Sequence, residues 1–212
     1  MTATPRPRAG RPTAEQATAR QGELLDAALD MFLDRGFELT TMEAVAASVG
    51  MTKRTVYARY PDKAALFLAT VQRAIERSIV PRERLDAIDA DDLEAALIAV
   101  ARLRVGNVMT PEGLRLQRII NTESYRFPTI FTMAYEQSGR PVIDFLAALF
   151  RRHDAVGTVH LDRPEMAANV FMSMAVSGPV RIIVSGNALD PRDIEDRIAF
   201  AVRLFLDGAR PR

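Results

Sequence analysis

The sequence predicts an all-α protein: a small N-terminal three-helix unit followed by a larger helical remainder. Three observations predict it. Apolar residues recur at three- and four-residue steps along most of the chain. Capping residues, prolines and glycines punctuate these runs where helices should start and stop. No run combines strict alternation with β-branched richness and flanking turn signals, so no strand is expected. The 212 residues suffice for one generous domain or two small ones, and 48% apolar beside 26% charged residues can build a core.

The elements follow in order. Residues 1–19 carry Pro5, Pro7, Pro12 and Gly10 among Arg6, Arg8 and Arg11, with no large apolar side chain after Met1, and read as a flexible basic arm. Leu24, Leu25, Ala28, Leu29 and Phe32 form one face of a helix that stops at Gly36, after which Phe37 turns back to the apolar stripe. Thr40 with Glu43 has the spacing of a capping box for a short helix bearing Met42, Val45, Ala46 and Val49, ended by Gly50. Thr52 caps the next helix by accepting from the amide of Arg54 or Thr55. That helix runs from Lys53 to about Arg59 and stops near Tyr60, because Pro61 disfavours helical geometry before it. Asp62 caps a longer helix with Leu66, Phe67, Val71 and Ile75, broken at Pro81.

The acidic stretch 83–94 reads as a solvated linker into a helix from about Leu93 to Val108. Thr110-Pro111-Glu112 is a cap, a first-turn proline and a first-turn acid. Pro128 and Pro164 open further helices, the second capped by Asp162, with a kink expected at Gly178-Pro179. Asp190-Pro191 opens the last, which runs to about Leu206 before Gly208. His153 and His160 flank Gly157 in a connection and are expected to be exposed.

Composition excludes whole classes of chemistry. There is no cysteine, which removes disulfides, thiolate metal sites and thiol nucleophiles, and two histidines leave little for a metal centre. No cofactor, metal or catalytic residue is assigned, and an enzyme is not expected. The net charge of +1 favours no partner in bulk, so any electrostatic function must sit in local clusters. The N-terminus lacks the apolar stretch of a signal peptide. The longest apolar-leaning run, Val170 to Val180, is short of the roughly 20 residues a bilayer span needs. A soluble, cytoplasmic protein is expected. Only Lys53 and Lys63 are lysines among the basic residues, a bias that fits a GC-rich genome.

Thr40 to Lys63 carries the functional signal. Two short helices joined at a glycine, with Ala46 and Ala47 where they cross and Val45, Val49 and Val56 as a seam, are the recipe for a helix-turn-helix. The second helix is basic and polar near its N-terminus, with Lys53, Arg54, Thr55 and Tyr57, the positions that reach base edges in a major groove. The pattern resembles the TetR/AcrR family of one-component bacterial regulators. The residues that carry it are Phe32, Gly36-Phe37, Thr40-Thr41, Val45-Ala46, Gly50-Met51-Thr52, Tyr57, Tyr60, Lys63 and Leu66. Arg59 stands where His is frequent in that family, Tyr60 where Phe is frequent, and Pro61 where a polar residue is usual.

The resemblance implies a division into arm (1–19), helix-turn-helix DNA-binding domain (20–66) and ligand-binding and dimerisation domain (67–212). It implies that Thr41, Tyr57 and Lys63 contact phosphates while Lys53, Arg54 and Thr55 read bases. Arg54 suits guanine, and Thr55 a thymine methyl. Thr52 and Tyr60 complete the DNA-facing set, and Arg11 of the arm is assigned to a minor groove. In the larger half, Arg118, Asn121, Tyr125, Phe131, Tyr135 and Met172 are the candidate ligand contacts, although side chains of this kind also serve as ordinary core. The last two helices resemble the family's dimerisation helices, with Ala175, Ile194, Ile198, Val202 and Phe205 assigned to the interface. The expected partners are an operator duplex, a small, mostly apolar effector and a second copy. The expected function is a repressor released by that effector, with an activator or a ligand-independent interaction module as the alternative.

Overall fold

A computed structural model describes residues 13–186 and 190–210. The arm residues 1–12, Arg11 among them, lie outside the described residues. Helices account for every regular element described, and the chain divides after Thr70 into two compact units.

The first unit contains α1 (Ala14–Leu39), α2 (Met42–Ser48), α3 (Lys53–Tyr57) and the start of α4 (Lys63–Arg77). Helix α1 starts earlier than an arm of 19 residues allows. The reason is local: Thr13 accepts from the Gln16 amide while the Gln16 side chain accepts from the Thr13 amide, a complete capping box. The helix breaks at Gly36, whose φ of 78° lies where only glycine sits without strain. Phe37 then folds back so that Phe32, Phe37 and Phe67 form a cluster, with Phe67 edge-on to both partners at 4.9 and 5.4 Å.

The cap of α2 differs from expectation. Thr41, not Thr40, accepts from the Ala44 amide, and Glu43 turns to Lys53 instead of closing a box. Thr40 is buried, donating its hydroxyl towards the carbonyls of Gly36 (2.9 Å) and Met31 (3.1 Å), so it locks the end of α1. Asp62 caps α4 as expected, accepting from the Ala65 amide at 2.7 Å.

The second unit holds the rest of α4, then α5 (Arg82–Asp86), α6 (Leu93–Val108), α7 (Pro111–Glu123), α8 (Thr129–Ala134), α9 (Arg140–Ala155), α10 (Pro164–Met172), α11 (Gly178–Val184) and α12 (Pro191–Ala209). The acidic stretch is not all linker: α5 forms there because Leu85 has an apolar site to fill. Asp92, Thr110 and Asp190 cap α6, α7 and α12 through side-chain acceptors. Helix α10 has no side-chain cap, so Asp162 does not play the role expected of it. His153 is buried on α9 with Nε2 2.9 Å from the Ala90 carbonyl, contrary to the expected exposure, because α9 extends past it to Ala155. The core is continuous, built around Leu97, Val100, Leu146, Phe150, Phe171, Ile198 and Val202.

Two helices in this unit are widened, not broken. A π turn at Tyr135–Gly139 joins α8 to α9, and another at Ser173–Ser177 joins α10 to α11. Each ends two residues before a proline, Pro141 and Pro179. A proline ring collides with the carbonyl four residues earlier and supplies no N–H to it. Those carbonyls belong to Gln137 and Ala175, inside the two π turns, so the wider turn accommodates the ring without ending the helix. The expected kink at Gly178-Pro179 is therefore a π turn, and Gly178 itself keeps helical angles. Because the helix continues, Pro164–Val184 is a 21-residue helix holding an 18-residue window of mean hydropathy 1.5, long and apolar enough by composition to cross a membrane, which the run Val170 to Val180 alone is not. Its Phe171, Ala175, Val176 and Val180 pack into the core of the unit.

Candidate nucleic-acid interface and C-terminal cavity

The turn between α2 and α3 is fixed by backbone bonds. The Met51 amide reaches the Ala46 carbonyl at 2.8 Å and the Gly50 amide the Ala47 carbonyl at 3.1 Å, the paired bonds of a Schellman stop. Gly50 at φ 64° makes that stop possible. Thr52 then accepts from the Thr55 amide at 3.2 Å and starts α3. Val45, Ala46 and Val56 are buried together, which fixes the angle at which α3 leaves α2. The opposite side of α3 is therefore left to solvent, and Thr52, Lys53, Arg54, Thr55 and Tyr57 are all exposed on it, with Thr41 exposed at the start of α2.

Lys53 is not idle on this face. Its ammonium pairs with Glu43 of α2 and lies 5.3 Å from the Tyr57 ring centroid. The hydrogen bond and charge of Lys53 hold the Glu43 carboxyl below its usual range, and Glu43 raises the Lys53 ammonium in return. Lys63 donates to the Glu38 carbonyl at 3.0 Å and sits 4.5 Å from the Phe37 ring centroid, so its ammonium is held at the start of α4. Tyr60 departs from the DNA-facing assignment: its ring is 7% exposed and its hydroxyl accepts from Gln21 at 3.0 Å. Helix α3 ends at Tyr57, before the expected stop near Tyr60, and the chain then turns so that the Tyr60 ring lies inwards against α1. Arg59, the other departure from the family pattern, donates to the same Gln21 at 3.1 Å.

The second unit contains a cavity of about 430 Å³, a size suited to a small molecule. Asn121, Phe131, Tyr135 and Met172 line it, together with both π turns. Arg118 and Tyr125 do not. On α7 the cavity takes Leu116, Gln117, Ile120 and Asn121, a single helical face that turns Arg118 away. Tyr125 lies beyond the end of α7 and is fully exposed. Sequence reasoning missed Arg104 and Ser138, which line the cavity and bond to each other, Arg104 Nη1 donating to Ser138 Oγ at 3.1 Å. The available signal was an arginine on the α6 stretch that also carries Ala101, Leu103, Val105 and Val108.

Comparison with known proteins agrees with both units. Residues 24–70 match the description "Bacterial regulatory proteins, tetR family", and residues 95–208 match "AefR-like transcriptional repressor, C-terminal domain". The chain belongs to the TetR family.

An HTH-type transcriptional regulator of Mycobacterium bovis is 30% identical over 187 residues, covering 87% of this chain and 93% of that protein. Another regulator from the same species is 40% identical over 74 residues, and that match spans 37% of the relative's length and 34% of this chain. Among solved structures, the Flavonoid-responsive Regulator FrrA is 30% identical with a TM-score of 0.73, covering 92% of this chain and 99% of that one. A TetR regulator from Agrobacterium tumefaciens shares the fold at 22% identity and a TM-score of 0.73, over 92% of this chain and 96% of that one. TetR-family members are DNA-binding transcriptional regulators, not enzymes.

Within this TetR-family chain, the residues assigned to a dimer interface face inwards. Ala175, Ile194, Ile198 and Val202 are buried in the protomer core, and Phe205 stacks on Phe150 at 5.3 Å and meets Phe171 edge-on at 5.4 Å. The apolar stripe of α12 satisfies its own unit because α6 and α10 cover it. The exposed apolar side chains on these helices are Met166 and Val170 of α10 and Phe200 and Leu204 of α12, between 47% and 59% exposed. Each pair is four residues apart, so each forms one line on its helix.

Proposed function

We propose that this TetR-family regulator is a two-fold dimeric repressor that grips an operator with α3 and lets go when a small, mostly apolar molecule occupies the C-terminal cavity. The observation that carries it is the exposed polar face of α3, free on the side opposite its buried Val56 seam. Lys53, Arg54 and Thr55 read bases, while Thr41, Tyr57 and Lys63 meet phosphates, and Thr52 helps fix the start of the reading helix. Arg11 of the arm adds a minor-groove contact. The cytoplasm is the compartment in which such a protein meets its operator.

Two further observations support the reading. FrrA, whose name describes a flavonoid response, is alike over almost its full length, which favours a small-molecule effector for the cavity. The exposed line of Met166, Val170, Phe200 and Leu204 favours a second copy as partner, since single apolar residues on a surface need no explanation but a clustered face does. Two copies would set two α3 helices about 34–36 Å apart on one side of the duplex. The effector shifts the balance only through unequal affinity for the bound and released geometries.

A second reading has its own support: the HTH-type transcriptional activator FasR of Mycolicibacterium smegmatis is 35% identical over 60 residues, 28% of this chain and 27% of that protein. Selection from a random oligonucleotide pool by the full chain, followed by footprinting of the recovered site, tests the proposal. A palindromic site overlapping a promoter is the expected result. No enrichment at moderate salt overturns operator binding, and a site upstream of the promoter with increased transcription favours the activator.

A further inference from the structure

The polar lining of the C-terminal cavity is lopsided. Its side chains include two guanidinium groups, Arg104 and Arg181, and no carboxylate. Several exposed arginines of this unit have acids beside them: Arg102 pairs with Glu195, Arg140 with Glu136, Arg151 with Glu165 and Arg152 with Asp91. Arg104 has a single neutral partner, Ser138 Oγ. Its Nε is buried and has no acceptor among the described residues. Burial also pushes the guanidinium below its usual basicity. Nearly every buried polar group in a folded protein finds a partner, because a donor that leaves water without one loses its hydration uncompensated.

The geometry of the one bond that Arg104 does make is informative. A guanidinium presents its donors as a planar fork, and an acceptor on Nη1 leaves the edge formed by Nε and Nη2 unused. That edge matches two oxygens of a carboxylate, which is why arginine favours planar, two-point recognition of such groups. Ser138 lies on one of the two π turns, and Ser173, Val176 and Ser177 of the other also line the cavity. Apolar and aromatic side chains such as Phe131 and Met172 complete the walls.

We infer that the cavity takes an apolar or aromatic monocarboxylic acid, its carboxylate held by the free edge of Arg104 while the hydrocarbon part lies among Phe131, Tyr135 and Met172. The inference rests on reading this cavity as the effector site. Ser138, itself in the lining, orients the guanidinium through Nη1, and Arg181 adds a second positive charge without being required for the two-point contact.

Binding of cinnamate and decanoate to the full chain, against cinnamamide and decanamide, tests it by native mass spectrometry and thermal shift. Each acid should bind about tenfold or more tightly than its amide, the ratio a charge-assisted hydrogen bond supplies. Arg104→Met should abolish that preference while circular dichroism stays unchanged and amide binding falls by less than acid binding, and Arg104→Lys should recover only part of it, since it restores charge without the planar edge. Ser138→Ala should weaken the preference without abolishing it, because the guanidinium loses the partner that orients it. Amides binding as well as acids, neither acid binding at all, or an undiminished preference in Arg104→Met would each overturn the inference. Amides that bind and release operator DNA would leave the effector site standing while refuting its anion. Acids bound with full preference by Ala134→Trp, which narrows the cavity, would refute the cavity itself as the site.

Discussion

The two units of this chain solve different problems with the same element. In the N-terminal unit every short helix is fixed by its own punctuation: Thr13, Thr41, Thr52 and Asp62 cap starts, and Gly36 and Gly50 end helices at positive φ. Among the described residues, the buried polar side chains of its core, Thr40, Tyr60 and Thr70, are bonded. The C-terminal unit instead carries two widened helical turns, a cavity between them and a buried arginine nitrogen without an acceptor. A reading head must hold α3 at a fixed angle, so locally determined geometry suits it. On the function proposed for it, the second unit needs space and unfilled bonding capacity that a ligand can use, and close packing throughout would remove both.

The contrast in packing gives the greatest expected loss. Phe67→Ala removes the ring that both Phe32 and Phe37 meet edge-on, and should cost about 3–5 kcal/mol in urea unfolding. A change below about 1 kcal/mol would mean that the N-terminal core is not the tight one. In the other unit, Phe200→Asp with Leu204→Asp should yield folded monomers by light scattering, whereas Phe205→Asp should unfold the protein, because its ring stacks inside the protomer. Folded dimers from the double variant would remove this face as the interface.

Intermediate effects concern the two kinds of DNA contact. Arg54→Ala should cost roughly 1–3 kcal/mol and relax preference at one position of each half-site. Lys63→Ala should weaken matched and scrambled duplexes alike and reduce the salt slope by about 0.9. The reverse pattern in a salt titration would exchange the two assignments. The smallest change is expected from Glu43→Gln. It frees the Lys53 ammonium and removes a negative charge beside the phosphates, so non-specific affinity should rise modestly at low salt and the difference should vanish at high salt. Weaker binding would show that Glu43 positions Lys53 for the duplex.

Much of the N-terminal unit was legible because its determinants lie close together in the chain. A glycine at 50, a threonine at 52 and a proline at 61 act on neighbours within a few residues, so spacing alone located α2, the turn and α3. The misreadings there were also instructive. Thr40 and Thr41 are both able to cap, and only the burial of Thr40 against the end of α1 decided between them. Tyr60 resembled a surface residue until Gln21, distant in sequence, was found bonded to its hydroxyl.

By itself the sequence determined the all-α class, the helix-turn-helix and its exposed basic helix, since each follows from local caps, stops and periodicity. Of the two π turns only the one before Pro179 was foreshadowed, as a kink at Gly178-Pro179; the one before Pro141 went unread, because proline alone does not tell a helix start from a widened turn. Tertiary structure decided the rest. It turned the α12 stripe inwards and left Phe200 and Leu204 outside, buried His153, excluded Arg118 and Tyr125 from the cavity, and brought Arg104 beside Ser138. The physical reason is that a helical period says which residues share a face, whereas the element that covers that face comes from distant parts of the chain.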